Sequence, residues 1–146
     1  MGCAVVDSHK LHIVCGKNYT TSFFPEDENG SPLSLSGRTG RCQIRDRDAT
    51  AGNSTTVLLV TPTVTIVAPP LTGADLTAAQ NAGADSTYYR VKVDLTGTQT
   101  NSSVTAINTA EYEGVYDIEA VLTADTNDIE LCGRGPVQFY NDRTQI

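Results

Sequence analysis

The sequence predicts an all-β fold, and three observations support this expectation. Apolar and polar residues alternate over several short stretches, a pattern that puts the apolar side chains on one face of a strand. Turn-forming Gly, Pro, Asn and Asp residues separate these stretches at short intervals. Only 39% of the 146 residues are hydrophobic and 18% are charged, with much of the remainder Thr, Ser, Asn, Gly and Ala. We therefore expect about 8–10 strands in a sandwich or barrel, forming a single domain over residues 1–146.

Short strands are predicted in the first third of the chain. After an N-terminal arm (residues 1–10), apolar residues alternate from Leu11 to Cys15, and this strand is expected to continue through Tyr19 to Phe24 after a kink at Gly16. The segment Pro25–Pro32 contains Asn29-Gly30, a pair that tolerates the positive φ of tight turns. In the next strand Cys42 and Ile44 are expected to face inward, and the outward positions are Arg41, Gln43 and Arg45.

A second group of elements is predicted in the middle of the chain. Asp46–Thr55 is polar and indicates a loop, whereas Val57–Val60 and Val64–Ala68 indicate the two strands of a hairpin. The Ala-rich insertion Leu71–Ala84 predicts one or two helical turns, too short to be stable without packing. Thr72 or Asp75 is a candidate cap for this helix, and Gly83 is expected to end it.

The last third contains the strongest strand patterns. Alternation from Tyr89 to Leu95 predicts a strand, Gly97–Ser103 a polar turn and Val104–Asn108 a weak strand. The segment Gly114–Thr144 then shows three alternating runs, separated by an Asp/Asn turn and a Gly-Arg-Gly-Pro break. We expect these runs to form an antiparallel meander. Their inward residues are Tyr116, Ile118, Ala120, Leu122, Ile129, Leu131, Val137 and Phe139.

The charge of the chain disfavours nucleic-acid binding. The net charge is −7, whereas affinity for phosphate backbones comes mainly from Lys and Arg contacts. The only dense basic group is Arg38, Arg41, Arg45 and Arg47, interrupted by Asp46 and Asp48. It is expected to be a solvated strand face, with an anion-binding patch as the alternative. No apolar run approaches the roughly 18–20 residues that span a bilayer, and the first residues lack a secretory signal pattern, so synthesis in the cytoplasm is expected.

The four cysteines do not show metal-site spacing. Cys3, Cys15, Cys42 and Cys132 contain no CxxC pair, which makes a zinc or thioredoxin-type site unexpected. Three of them occupy apolar strand positions, so buried free thiols are the first expectation. A bridge between Cys15 and Cys42, or between Cys42 and Cys132, is the alternative.

The sequence offers no candidate catalytic, cofactor-binding or metal-binding residues. His9 and His12 lie on opposite faces of an extended segment, and neither lies in a nucleophile motif. Two acidic turns, Glu26–Glu28 and Asp125–Asp128, do not match a calcium loop. With no Trp in the chain, an aromatic sugar platform would need tyrosines such as Tyr88 and Tyr112. No enzymatic activity and no cofactor are expected.

Three sequence pieces, taken in order, resemble a known group of proteins. They are the acidic turn followed by Asn29-Gly30-Ser31-Pro32-Leu33-Ser34-Leu35-Ser36-Gly37, the strand Arg41-Cys42-Gln43-Ile44-Arg45, and Gly114-Val115-Tyr116-Asp117 followed by Gly133-Arg134-Gly135-Pro136-Val137. This order resembles small structural domains of tailed-bacteriophage virions, found in baseplates and tail-fibre adaptors. The resemblance covers residues from about Leu11 to Thr144 and departs from the group's pattern at Leu71–Ala84 and the hairpin before it.

The resemblance implies an antiparallel immunoglobulin-like sandwich with one short helical insertion. It implies a virion structural protein of the tail or baseplate, or a fibre-anchoring adaptor, made in the host cytoplasm and present in several copies. The implied partners are other virion proteins, with no membrane or nucleic acid among them. A capsid cement protein and a carbohydrate- or host-receptor-binding module are the alternatives. Because loops on a rigid scaffold carry recognition, we expect the partner surface at Leu71–Ala84 and the preceding hairpin.

Overall fold

The structure is a computed structural model that describes residues 10–46, 58–100 and 111–140. Within these ranges, strands account for most of the regular structure, which confirms the all-β prediction. The elements are β1 (Leu11–Val14), β2 (Tyr19–Phe23), β3 (Arg38–Asp46), β4 (Leu58–Val60), β5 (Thr63–Val67), α1 (Gly73–Asn81), β6 (Arg90–Leu95), β7 (Glu111–Leu122) and β8 (Asp125–Tyr140). The predicted weak strand Val104–Asn108 and most of the predicted loop Asp46–Thr55 lie outside the described residues.

The strands form two sheets whose inner faces share one core. One sheet has five strands in the order β1-β8-β7-β3-β4, and the other has three in the order β2-β6-β5. Alternate residues of both sheets are buried, as the period of two predicts. The fully buried side chains of this core include Leu11, Ile13, Phe23, Ile44, Val91, Val93, Tyr116, Ile118, Val137 and Phe139.

One strand pair contradicts the prediction of a purely antiparallel fold. β1 runs parallel to β8, with Leu11 opposite Val137 and Val14 opposite Tyr140. The other pairs are antiparallel. β1 is the first described strand and lies at the edge of the five-stranded sheet. Alternation within β1 carried no information about its partner.

The chain changes sheets at two points where the sequence predicted continuous pairing. β1 and β2 were expected to form one kinked strand, but Gly16, at φ 84°, lets the chain leave one sheet and enter the other. The predicted hairpin at Val57–Ala68 is also wrong. β4 pairs with β3, and β5 pairs with β6. Thr61-Pro62 separates two strands that belong to opposite layers.

The closing region contains two long strands rather than the three predicted runs. β7 and β8 form an antiparallel hairpin, and β8 continues through Gly133-Arg134-Gly135-Pro136 without ending. The register shifts where Ile118 pairs with Gly133 and Glu119 pairs with Leu131, which leaves Cys132 as the extra residue of a bulge. The Gly-Arg-Gly-Pro segment therefore follows a bulge within β8 and does not separate two strands. The inward orientation of Tyr116, Ile118 and Ala120 is confirmed, since all three are fully buried. The inward orientation predicted for Ile129 and Leu131 is wrong, because the bulge at Cys132 reverses the phase of β8 and places both on the outer face, opposite Val121 and Glu119.

Two glycines allow close contact between the sheets. A Cβ atom at Gly40 on β3 would lie 2.3 Å from Cγ1 of Val64 on β5. A Cβ atom at Gly133 on β8 would lie 3.1 Å from the ring of Phe23 on β2. The Phe23 ring is also 6.0 Å from the Tyr116 ring, at a tilt of 49°. These contacts join the two layers near the middle of the core.

Candidate functional site

The predicted recognition segment Leu71–Ala84 forms helix α1 and is anchored to the sandwich. Leu71 and Ala79 are 2% and 0% exposed. Asp75, in the first turn of α1, forms an ion pair with Nη1 of Arg90 at 2.6 Å. Nε of Arg90 donates a hydrogen bond to the hydroxyl of Ser22 on β2 at 2.8 Å. The guanidinium of Arg90 is therefore held between the helix and the three-stranded sheet.

Both ends of α1 follow the sequence signals. Thr72 occupies the N-cap position, although its side chain makes no capping hydrogen bond. At the other end Gly83 adopts φ 81°, its N–H donates to the carbonyl of Gln80, and the N–H of Ala84 donates to the carbonyl of Ala79. This pair of bonds is the Schellman arrangement, which satisfies the last carbonyls of a helix. Gly83 therefore ends the helix as expected.

The solvent-facing side of α1 is uncharged. Its only acidic residue, Asp75, is turned toward Arg90. The exposed residues of the segment are Thr72, Gly73, Ala74, Thr77, Gln80, Asn81, Ala82 and Gly83. Depletion of charge is a property of interface cores, and short side chains lose little conformational entropy when they are covered. The exposed side of the segment is thus neutral and carries none of the aromatic, Met or Arg side chains that are enriched in interface cores.

The basic group on β3 is occupied by partners within the chain. Arg38 forms an ion pair with Asp128 at 2.9 Å and donates to the carbonyl oxygens of Ala120 and Asp128. Arg41 pairs with Glu119 at 2.8 Å. Arg45 donates to Gln43, and Arg47 lies outside the described residues. Arg41, with a side chain 51% exposed, fits the solvated strand face that was expected, whereas Arg38, at 10%, is mostly buried and does not.

The acidic turns and Tyr88 also form hydrogen bonds within the chain. Oδ1 of Asp27 accepts the N–H groups of Asn29 and Ser31, which shapes the turn around Gly30. The hydroxyl of Tyr88 donates to Glu26 at 2.7 Å, and this bond raises the pKa of Tyr88 to about 12. In the second turn, Asp125 accepts the N–H of Asn127. The side chain of Tyr112 lies outside the described part of the chain.

No metal centre forms in the part of the chain that the structure describes, where no three His, Cys, Asp or Glu side chains cluster. His12 lies on the surface, with its Nδ1 3.2 Å from the hydroxyl of Tyr140 and the two rings stacked at 5.9 Å. His9 is not among the described residues. The placement of His12 therefore matches a surface histidine.

Cys15, Cys42 and Cys132 are buried free thiols, and Cys3 is outside the described ranges. The positions of the strands explain why neither alternative disulfide, Cys15–Cys42 or Cys42–Cys132, is present. Cys42 lies opposite Ile118, and Ile118 lies opposite Gly133, so Cys42 and the Cys132 bulge are two strand spacings apart. This is roughly 9–10 Å, beyond the ~7 Å that a disulfide can span between Cα atoms. Cys15, at the end of β1, lies one strand further away.

The buried thiols predict a loss of stability at alkaline pH. Burial raises the pKa of Cys42 to about 12 and that of Cys132 to about 11. Between pH 9 and 11 the unfolded chain therefore releases protons that the folded chain retains, and stability falls as pH rises. We expect a loss of about 2–3 kcal/mol between pH 8 and pH 10, measured by urea unfolding under reducing conditions. The Cys42→Ala/Cys132→Ala variant should show a much flatter profile, and an unchanged slope in that variant would contradict the assignment.

Two polar features were missed in the sequence. Residues 97–100 are helical instead of a plain turn, and Thr96 and Gln99 form a reciprocal capping box: the Gln99 N–H donates to the Thr96 hydroxyl and the Thr96 N–H to the Gln99 side chain. Thr100, 0% exposed, accepts the N–H of Gly16 at 3.0 Å. The Thr-x-x-Gln spacing was a readable signal for the first feature, whereas nothing local marked the second.

The described residues contain no helix of the length and hydropathy needed to cross a membrane. In comparisons with known proteins, no family model matches this chain and no curated protein is significantly similar to it.

Proposed function

We propose that the two sheets form an immunoglobulin-like sandwich, and the strand order is the observation that supports this proposal. In that fold one sheet contains strands B, E and D, and the other contains G, F, C and C′. Here β2-β6-β5 takes the order of the first set and β8-β7-β3-β4 that of the second, when the strands are lettered in chain order. β1 adds a strand beside β8 at the edge of the larger sheet.

The centre of the core supports the same assignment. In antibody domains a disulfide links strands B and F. The corresponding strands here are β2 and β7, and an aromatic pair, Phe23 and Tyr116, joins them. Such a pair contributes about 0.5–1.5 kcal/mol beyond the area it buries. A chain of this size has room for a core without covalent links.

We infer that the chain acts by protein–protein contact as a structural component of a tailed-phage virion, at the tail or baseplate or as a fibre adaptor. The sequence pieces behind this inference lie at defined places in the fold: Asn29-Gly30 forms a turn, Gln43 and Ile44 lie on β3, and Tyr116 is a core residue of β7. Because one fold serves many functions, the virion role rests on these motifs and on the neutral surface of α1.

The proposal predicts that purified particles of a phage encoding this chain contain it at a fixed copy number. Quantitative mass spectrometry of such particles measures this number. A small multiple of three or six supports a tail or baseplate position, and hundreds of copies indicate a capsid cement protein. Failure to find the chain in particles, when it is present in the infected cell, would reject a virion role.

The location of the partner surface has its own test. Deleting Leu71–Ala84 would remove two buried side chains and the partner of Arg90, so surface substitutions are preferable. We expect Thr77→Arg/Gln80→Arg to leave the melting temperature within a few degrees of wild type and to lower incorporation at least tenfold. The matched control is Thr63→Arg/Thr65→Arg, exposed on β5. Equal incorporation of both variants would exclude α1 as the contact.

A further inference from the structure

The outer faces of the two sheets differ in chemistry. On the three-stranded sheet the outward residues are mainly hydroxyl-bearing or charged: Thr20, Ser22, Thr63, Thr65, Lys92 and Asp94. On the five-stranded sheet, aliphatic side chains are interspersed with ion pairs. This second surface is here called the β3/β7/β8 face, after the strands that carry its central residues.

Two cross-strand ion pairs lie on the β3/β7/β8 face. Arg41 on β3 pairs with Glu119 on β7 at 2.8 Å, and Arg134 on β8 pairs with Asp117 on β7 at 2.7 Å. The positive residues thus flank a negative central strand. In a chain with a net charge of −7, two copies repel each other over most of their surface. A face that carries basic residues beside its acidic ones is where this repulsion is smallest.

The same sheet carries the exposed aliphatic groups. Among the described residues, the large hydrophobic side chains that are clearly exposed are Val14 and Ile129, at 38% and 40%. Both point outward from the five-stranded sheet, Val14 beside Tyr140 and Ile129 beside Val121. Leu131 and Pro136 on β8 are half-buried on the same surface. Apolar groups therefore lie beside the paired charges, on the β1 and β8 side of the face.

We propose that the β3/β7/β8 face is a contact surface between two copies of this chain. Face-to-face sheets pack about 10 Å apart at an angle of about 30°. A displacement of one strand, about 4.8 Å, would place the Asp117 and Glu119 row of one copy over Arg41 or Arg134 of the other. After that displacement, the acidic strand β7 of one copy faces a strand of the other copy that carries a basic residue.

The size of the face sets the expected strength. Four strands with an overlap of about nine residues cover roughly 19 Å by 30 Å, so two copies would bury on the order of 1,100 Å². That area lies near the lower limit for specific interfaces. The contact should accordingly be weak for isolated chains and effective where several copies are held close together. The inference does not depend on the phage assignment.

Sedimentation velocity over a series of concentrations tests this surface with the full chain. We expect reversible dimer formation by wild type, and at least a tenfold higher dimer dissociation constant for Ile129→Asp. The control Thr65→Asp makes the same change of net charge at an exposed strand position of the other sheet, and it should change the constant less than twofold. Val14→Asp, at the opposite end of the face, gives a second variant should Ile129→Asp fail to fold.

Two results would overturn the proposal. One is a wild-type chain that stays monomeric up to millimolar concentration. The other is equal weakening by Ile129→Asp, Val14→Asp and Thr65→Asp, which would reflect net charge alone. Either result would leave the copy number in particles unaffected, so this test and the test of the virion role fail independently.

Discussion

Replacing Gly40 by alanine should lower the free energy of unfolding by about 2–3 kcal/mol. The added methyl group would lie 2.3 Å from Cγ1 and 3.1 Å from Cβ of Val64. The effect is steric, because Gly40 is not among the residues with positive φ, and alanine suits its backbone conformation. Relief of the overlap requires movement of β5 away from β3, which would open the core between the sheets. Urea unfolding measures the loss.

A second substitution identifies the cause. Val64→Ala alone should cost about 2 kcal/mol through the cavity it leaves. The Gly40→Ala/Val64→Ala variant should be more stable than the sum of the single changes predicts, by about 1–2 kcal/mol. Thr39→Ala, at the adjacent exposed position, serves as the control and should be nearly neutral. Strict additivity of Gly40→Ala and Val64→Ala would show that the two side chains do not compete for space.

Removal of the carboxylate of Asp75 should destabilise the protein by about 2–3 kcal/mol. The Arg90 side chain is 10% exposed, and Asp75→Ala would leave its guanidinium without the 2.6 Å partner. Loss of one member of a buried pair costs about 3–5 kcal/mol, and the 34% exposure of Asp75 reduces this value because water can replace it in part. Thermal and urea unfolding should agree on the loss, and amide exchange in α1 should accelerate.

The matched control is the Arg41–Glu119 pair, which has a similar distance but a more exposed arginine. Side-chain exposure there is 51% for Arg41 and 30% for Glu119. Glu119→Ala should therefore cost only about 0–1 kcal/mol. Asp75→Asn should recover part of the loss, since an amide oxygen still accepts from Arg90. Equal costs for Asp75→Ala and Glu119→Ala would contradict the idea that burial makes the Arg90 contact important.

Local patterns predicted which residues form strands better than which strands are neighbours. The inward phase of Val91, Val93 and Leu95 on β6, and of Cys42 and Ile44 on β3, is confirmed. Alternation depends only on the two faces of a strand, so it identified these core positions but failed at Ile129 and Leu131, where the Cys132 bulge reverses the phase. Alternation carries no information about which strand is the partner. For this reason the parallel position of β1 and the separation of β4 from β5 were not predicted.

The outward phase of β6 shows a second limit of sequence patterns. Arg90 shares the polar phase of this strand with Lys92 and Asp94, yet it is 8% exposed. Helix α1 covers that end of the three-stranded sheet and supplies Asp75 as the ion-pair partner of Arg90. The helical turns of α1 could be predicted from its composition, and its anchoring could not. A buried ion pair between an insertion and a strand depends on tertiary packing, which periodicity does not encode.

The position of β8 between β1 and β7 has a consequence for the order of folding. β8 is the last described strand to leave the ribosome, yet residues as early as Leu11 must pair with it. The larger sheet therefore cannot be completed during synthesis of the first hundred or so residues, whereas β2, β5 and β6 can already associate. Contacts of such long sequence separation slow the folding of a small β protein. Until β8 arrives, β1 and one edge of β7 remain unpaired, and nascent chains of this protein should be most prone to aggregation at that stage.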